Sequence, residues 1–266
     1  MIFHSSIEPI YFLLPLIGFA VGLLGTILGS GGGFFFLAIL TLLLGVQAQT
    51  AVVTSLVATL PVCFVGSLGH FHKGNIDFRT GALFAFAGII GAFIGAGITS
   101  KISAEQLKVS FGIYSVIIAL NIAFSTRRKK QFEVRNPVKQ KPSGFLKIAK
   151  GSFFGFFAGI ITGAFGTSGA APVLAGLFTM HMPLKLVIGT SLMVVLVNTI
   201  FAVGAHFWVG TIDLTLVYFL TAGSLIGALL APKILTKAKT DNSENKIRYI
   251  YAAALVAIGL LMIIVA

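Results

Sequence analysis

The chain has 266 residues, of which 57% are hydrophobic and 10% charged, with a formal net charge of +12 and a mean hydropathy of +1.01. So little polar surface cannot cover a water-soluble domain but suits a bilayer, which excludes a soluble enzyme and a soluble nucleic-acid-binding domain despite the basic balance. The single cysteine, Cys63, excludes an internal disulfide and reads as core packing.

From the N-terminus, MIFHSSIEPIYFLL has no positively charged segment ahead of its apolar run, so the first span is expected to be retained. Eight apolar runs are long enough, or nearly so, to cross roughly 30 Å as helices. They lie at about 10–29, 50–68, 80–99, 109–124, 150–165, 187–208, 214–235 and 247–266. Two shorter runs, Phe34 to Leu44 and Ala171 to Met180, suit half-crossings, and each follows a glycine-rich break. The fold class expected is therefore all-α integral membrane, with about eight spanning helices and two half-helices. Residues 1–124 and 151–266 form two units, separated by a basic connector at 125–150.

The two units are related. At an offset of 136 residues, Thr54-Ser55-Leu56 recurs as Thr190-Ser191-Leu192, and Ile90-Gly91-Ala92 as Ile226-Gly227-Ala228. His70, Phe71, Gly74, Ile76 and Asp77 recur as His206, Phe207, Gly210, Ile212 and Asp213. His and Asp are rare here, so shared apolar composition does not explain the match. With a one-residue gap, Gly29-Ser30-Gly31-Gly32-Gly33 falls on Gly166-Thr167-Ser168-Gly169-Ala170.

Charge orients the repeat. Five segments per half, with the connector in the cytoplasm, place inside Lys73, Arg79, the connector's basic residues, Lys185 and the basic residues from Lys233 to Arg248. Only Lys101 and Lys108 remain outside, as the positive-inside rule prefers. An odd number of segments inverts the second half, the architecture of many secondary transporters with a site at the repeat interface.

Non-helical backbone at membrane depth is tolerated only where it is packed in protein or lines a polar cavity. The half-helices start directly after the breaks, so their first amides and positive dipole ends face into them, an anion cradle. Pro172 favours a helix start. Glycine permits close approach to the backbone, while Ser30, Thr167 and Ser168 add hydroxyl donors. Gly29, Ser30, Gly31, Gly32, Gly33, Gly166, Thr167, Ser168 and Gly169 are thus the candidate substrate ligands.

These paired motifs, each followed by a short apolar run, a Thr-Ser pair and a Gly-x-Ile-Asp turn, resemble the TauE/SafE sulfite-exporter family. The resemblance covers nearly the whole chain apart from the connector. It implies a multi-pass protein of a bacterial inner membrane that moves small anions, often sulfur oxyanions such as sulfite, sulfonates or sulfoacetate. Two departures are visible: Phe34-Phe35-Phe36-Leu37-Ala38 stands where the family often has a proline, and the second motif ends in Ala170.

A second tier of candidates is Thr54, Ser55, Thr190 and Ser191, which could equally back-bond to helix carbonyls, and Asn198, a lone polar residue in an apolar helix. His70 and His206 are candidates for a proton or anion contact, or are satisfied residues near helix ends. Asp77 and Asp213 stand where N-caps would, and Gly22, Gly91, Gly95 and Gly227 suit close helix packing.

All seven acidic residues lie in loops or at segment ends, which argues against a cation pathway. No nucleotide-binding loop, HExxH or CxxC occurs, so no cofactor or metal is expected, nor an enzyme. The partners expected are the lipid bilayer, a small anion and a second copy in a homo-oligomer, without nucleic acid. Two other readings stay open: an anion channel, and a non-transporting scaffold or accessory subunit whose glycines only pack helices.

Overall fold

In a computed structural model, residues 1, 3, 7–132, 144–180, 182–207, 210–237 and 241–266 are described, with side chains omitted at 125–132, 144–145, 232–237 and 241–248. Everything regular among them is helical. A 3-10 turn at Pro9–Leu13 leads into α1 (Leu14–Leu28). After the first break comes α2 (Gly33–Leu43), which is α-helical over Gly33–Ala38 and π-helical over Ile39–Leu43. Then follow α3 (Ala48–Phe71), α4 (Phe78–Thr99), α5 (Ala104–Phe132) and α6 (Gly144–Phe165). After the second break come α7 (Ala170–Thr179), α8 (Leu184–His206), α9 (Leu214–Lys237) and α10 (Asp241–Ile264).

Seven helical stretches among the described residues are long and apolar enough to cross a membrane. The eighth expected run lies on α10, whose described side chains form the apolar stretch Tyr249–Ile264. The two half-helices fall where the sequence places them, at Gly33–Leu43 and Ala170–Thr179. Described parts of the connector are helical, as α5 runs on to Phe132 and α6 begins at Gly144, because Lys and Arg are good helix formers once the chain leaves apolar surroundings. Residues 133–143 lie outside the described residues.

The halves interlock. α1 packs along α9 and α4 along α6, so the first helix of each half lies on the fourth of the other. Small residues make both crossings. A β-carbon at Gly22 would meet the Ser224 backbone, and one at Gly227 the Phe19 carbonyl. Across the other crossing, β-carbons at Gly91 and Gly95 would meet the Phe156 and Ile160 carbonyls. Such stripes let backbones touch, which substitutes for the hydrophobic driving force that is missing between helices in lipid.

Helices related by the repeat run antiparallel. Thr50 near the start of α3 shares a 2.8 Å hydrogen bond with Thr211 just beyond the end of α8. Lys108 near the start of α5 donates to the Val265 carbonyl past the end of α10 at 3.4 Å.

Asp77 and Asp213 cap α4 and α9. Asp77 accepts from the Thr80 amide at 3.0 Å and the Thr80 hydroxyl at 2.6 Å, and Asp213 from the Leu216 amide at 3.1 Å. Partial burial alone would raise the Asp77 pKa. The Thr80 bonds and the Lys147 ammonium at 3.9 Å outweigh it and hold the carboxyl below its ordinary value. A depressed native pKa adds stability above the carboxylate range that is lost as pH falls through the native value. Asp77→Ala is therefore expected to cost about 1 kcal/mol at neutral pH and to shrink the acid-dependent fall in melting temperature below about pH 4. Melts taken down that range check this, and an unchanged acid limb would contradict it.

Candidate functional site

The two glycine breaks meet at the centre of the molecule. At the first, α1 ends when Gly29 turns left-handed (φ 72°), and the amides of Ser30 and Gly31 fold back onto the Gly25 carbonyl at 2.7 and 3.0 Å. Gly31 and Gly32 keep positive φ (68° and 83°), which residues with a side chain rarely adopt. At the second break, Gly166 (φ 62°) ends α6 and Gly169 (φ 52°) precedes α7. A β-carbon on Gly33, the first residue of α2, would lie 2.8 Å from the Ser168 amide nitrogen and 3.2 Å from the Thr167 Cα. The start of one half-helix thus touches the segment leading into the other.

Hydroxyls cluster there. Ser30, Thr167 and Ser168 are all at least 95% buried; the Ser30 hydroxyl faces the Tyr251 phenol, and the Thr167 and Ser168 hydroxyls have no hydrogen-bond partner among the described residues. An unpaired buried hydroxyl costs about 1–3 kcal/mol, and those of Thr167 and Ser168 belong to the segment that touches the start of α2, where the first amides of a helix have no intrahelical partner.

The Thr-Ser pairs hold the breaks from outside. The Ser55 hydroxyl donates to the Gly166 carbonyl at 2.8 Å, and its repeat mate Ser191 donates to the Gly29 carbonyl at 3.0 Å. Thr54 accepts from the Asp213 amide at 3.1 Å, and Thr190 from the Asp77 amide at 2.9 Å. Each half therefore pins the other half's break and the other half's cap. All four hydroxyls are committed to backbone partners.

Asn198 is fully buried, with both amide atoms unpartnered, on α8 against Gly88 of α4. The histidines sit near the ends of α3 and α8. His206 Nε2 donates to the Gly163 carbonyl at 2.7 Å, in the last turn of α6. It borders a cavity of about 140 Å³ with Gln49, Val53, Thr99, Ser100 and Gly210. His70 is equally buried, but neither ring nitrogen has a partner. Among the described residues no three His, Cys, Asp or Glu gather as a metal set.

Two site residues were not found by sequence reasoning. Tyr114 of α5 stacks between Phe34, in the first turn of α2, and Phe165, the last residue of α6. The ring centroids lie 5.4 and 5.5 Å away, with planes within 12° and 20°. Its hydroxyl is buried and unpartnered. Tyr251 of α10 sits edge-on to Phe35 at 5.5 Å, with its phenol beside Ser30. The two tyrosines are 137 residues apart, the same offset that relates the glycine motifs. That shared offset was the available signal.

The break segments carry amides and buried hydroxyls, with two phenols beside them, groups of a kind suited to oxygens that carry negative charge.

Residues 14–262 match the family model described as sulfite exporter TauE/SafE. A probable membrane transporter protein of Bacillus subtilis, YdhB, is 27% identical, with 85% of this chain and 94% of that protein aligned. A second from the same organism, YunE, is 22% identical over 86% and 90% of the two chains. A probable membrane transporter protein of Xylella fastidiosa is 25% identical over 93% and 91%.

Proposed function

Because the chain belongs to the sulfite exporter TauE/SafE family of membrane transporters, we propose that it carries a small, sulfur-containing oxyanion of the sulfite, sulfonate or sulfoacetate type, bound at the paired breaks. The observation that carries this reading is the contact between the start of α2 and the Thr167–Ser168 segment leading into α7, whose two hydroxyls are buried and unpartnered. An anion there would satisfy the hydroxyls and the orphan amides together, and two inward-pointing helix dipoles would stabilise its charge. Ser55 and Ser191 act as positioning residues that fix the break carbonyls, and Thr54 and Thr190 as ones that fix the amides of the Asp213 and Asp77 caps.

Transport follows by alternating access, one unit rocking against the other around the site. The antiparallel course of α3 against α8 and of α5 against α10 supports an inverted repeat in the plasma membrane, with the connector cytoplasmic. In a Cys63→Ala background, single cysteines at Asn75 and Thr211 are expected to label from opposite faces. Labelling of both from one face would contradict the topology.

The binding test is thermal stabilisation of the purified protein in detergent by sulfite, sulfonates, sulfate, phosphate and carboxylates, since a ligand of the folded state raises its stability by mass action. Tyr114→Phe separates ligand from scaffold. It keeps the stacked ring and removes an unpaired buried hydroxyl, so it should raise the melting point of the ligand-free protein, by about 1 kcal/mol, and weaken anion stabilisation. A variant that is less stable yet binds as before would make Tyr114 purely structural.

A further inference from the structure

We infer that the paired-break site selects by charge state, taking singly charged oxyanions in preference to doubly charged ones of the same shape, because every group aimed into it is neutral. The inference rests on the anion-binding reading above and narrows it to hydrogen sulfite and simple sulfonates, because sulfoacetate carries two charges.

The donors on the break segments are the buried hydroxyls of Ser30, Thr167 and Ser168, with the Tyr251 phenol at Ser30 and Tyr114, its buried hydroxyl unpartnered, stacked on Phe34 of α2. Among the described residues, no Lys or Arg is buried. Of the ionisable side chains that are, His206 is tied to the Gly163 carbonyl, His70 lies in the last turn of α3, and Asp213 caps α9. The Lys147–Asp77 pair is about one-third exposed, with its two charges set against each other at the start of α4.

Among the described residues the positive potential at the breaks therefore comes from helix dipoles. A helix start is equivalent to roughly half an elementary charge, so the starts of α2 and α7 together supply about one. That balances a monoanion. A dianion would bring a second charge into the same low-dielectric centre with nothing of opposite sign to meet it, and burying an uncompensated charge is strongly unfavourable. Sites for dianions such as phosphate or sulfate usually add Arg or Lys for this reason.

The test is thermal stabilisation of the full chain in detergent by three probes. Methanesulfonate is a monoanion at any working pH, sulfate is a dianion, and sulfite loses its last proton near neutrality. Methanesulfonate is expected to stabilise equally across neutral pH, and sulfate at least about a hundredfold more weakly in concentration. Sulfite is expected to weaken about tenfold for each pH unit above its last pKa. The titratable groups that face the site or its packing helices are Cys63 and His70 of α3, Tyr114 of α5, His206 of α8 and Tyr251 of α10. Titration of any of them would move methanesulfonate as well, which overturns the inference. Sulfate binding as tightly as methanesulfonate, with both lost in Gly31→Ala, overturns it while leaving the anion site standing. No response to any probe overturns the anion site itself, and the inference with it.

Discussion

Gly31→Ala is expected to abolish anion stabilisation while leaving the protein folded. At φ 68° an L-residue is strained by about 1–2 kcal/mol, and the new β-carbon would press on Cys63 Sγ, with Thr59 Cγ2 at 3.3 Å. The first neighbour is a side chain that can turn aside, so the cost falls on the shape of the break rather than on the fold. Cys63→Ala in the same chain removes the steric part and leaves the backbone part. The double variant should recover some affinity without reaching the parent, each 1.4 kcal/mol being a factor of about ten. Titration of methanesulfonate by thermal shift in the three variants checks this. Parent-like affinity in Gly31→Ala would mean that the break backbone does not touch the ligand.

Gly159→Leu is expected to have the largest effect on folding. A β-carbon at Gly159 would overlap the Gly88 carbonyl and come within 2.8 Å of the Gly88 Cα. Two backbones in contact have nothing flexible to yield, so the penalty should exceed the about 1–3 kcal/mol usual for an overpacked core. This crossing of α6 with α4 joins the two halves, and its loss should show as disappearance of the monodisperse species on size exclusion in detergent. Gly97→Leu is the control, because no atom outside its own helix stretch lies within 4 Å of its β-carbon position and position 97 is exposed. Equal behaviour of the two variants would refute the packing account.

Much of the architecture was legible in the sequence because membrane solvent imposes simple rules. Apolar runs of spanning length gave the helices, and the short runs after Gly33 and Gly169 gave the half-helices almost residue for residue. Asp77 and Asp213 were readable as caps because a carboxylate before an apolar run has few other uses. The exchange of helices between halves was not legible. A stripe such as Gly155, Gly159 and Gly163 announces a close neighbour without saying which helix it is, and the neighbour proves to be α4.

The site was legible in part. Consecutive glycines flag a break, and the chain order of the repeat pairs one break with the other. Whether a nearby hydroxyl faces the site or the backbone depends on helix rotation and on the partner across the interface. Thr54 and Ser55 are tied to Asp213 and Gly166, residues more than a hundred positions away. Tyr114 was hidden because an aromatic in an apolar helix carries no periodic signal that separates it from lipid-facing or core residues. Its one mark in the sequence is the 137-residue offset to Tyr251, and its stacking between Phe34 and Phe165 is what places it beside the breaks.

The most direct test of the central claim is flux. Protein reconstituted into proteoliposomes loaded with radiolabelled sulfite should release it down its gradient far faster than protein-free vesicles, and Gly31→Ala, inserted to the same level, should fall to the protein-free rate. Parent protein no faster than empty vesicles for sulfite and for methanesulfonate, or Gly31→Ala as fast as the parent, would contradict an anion pathway through the paired breaks.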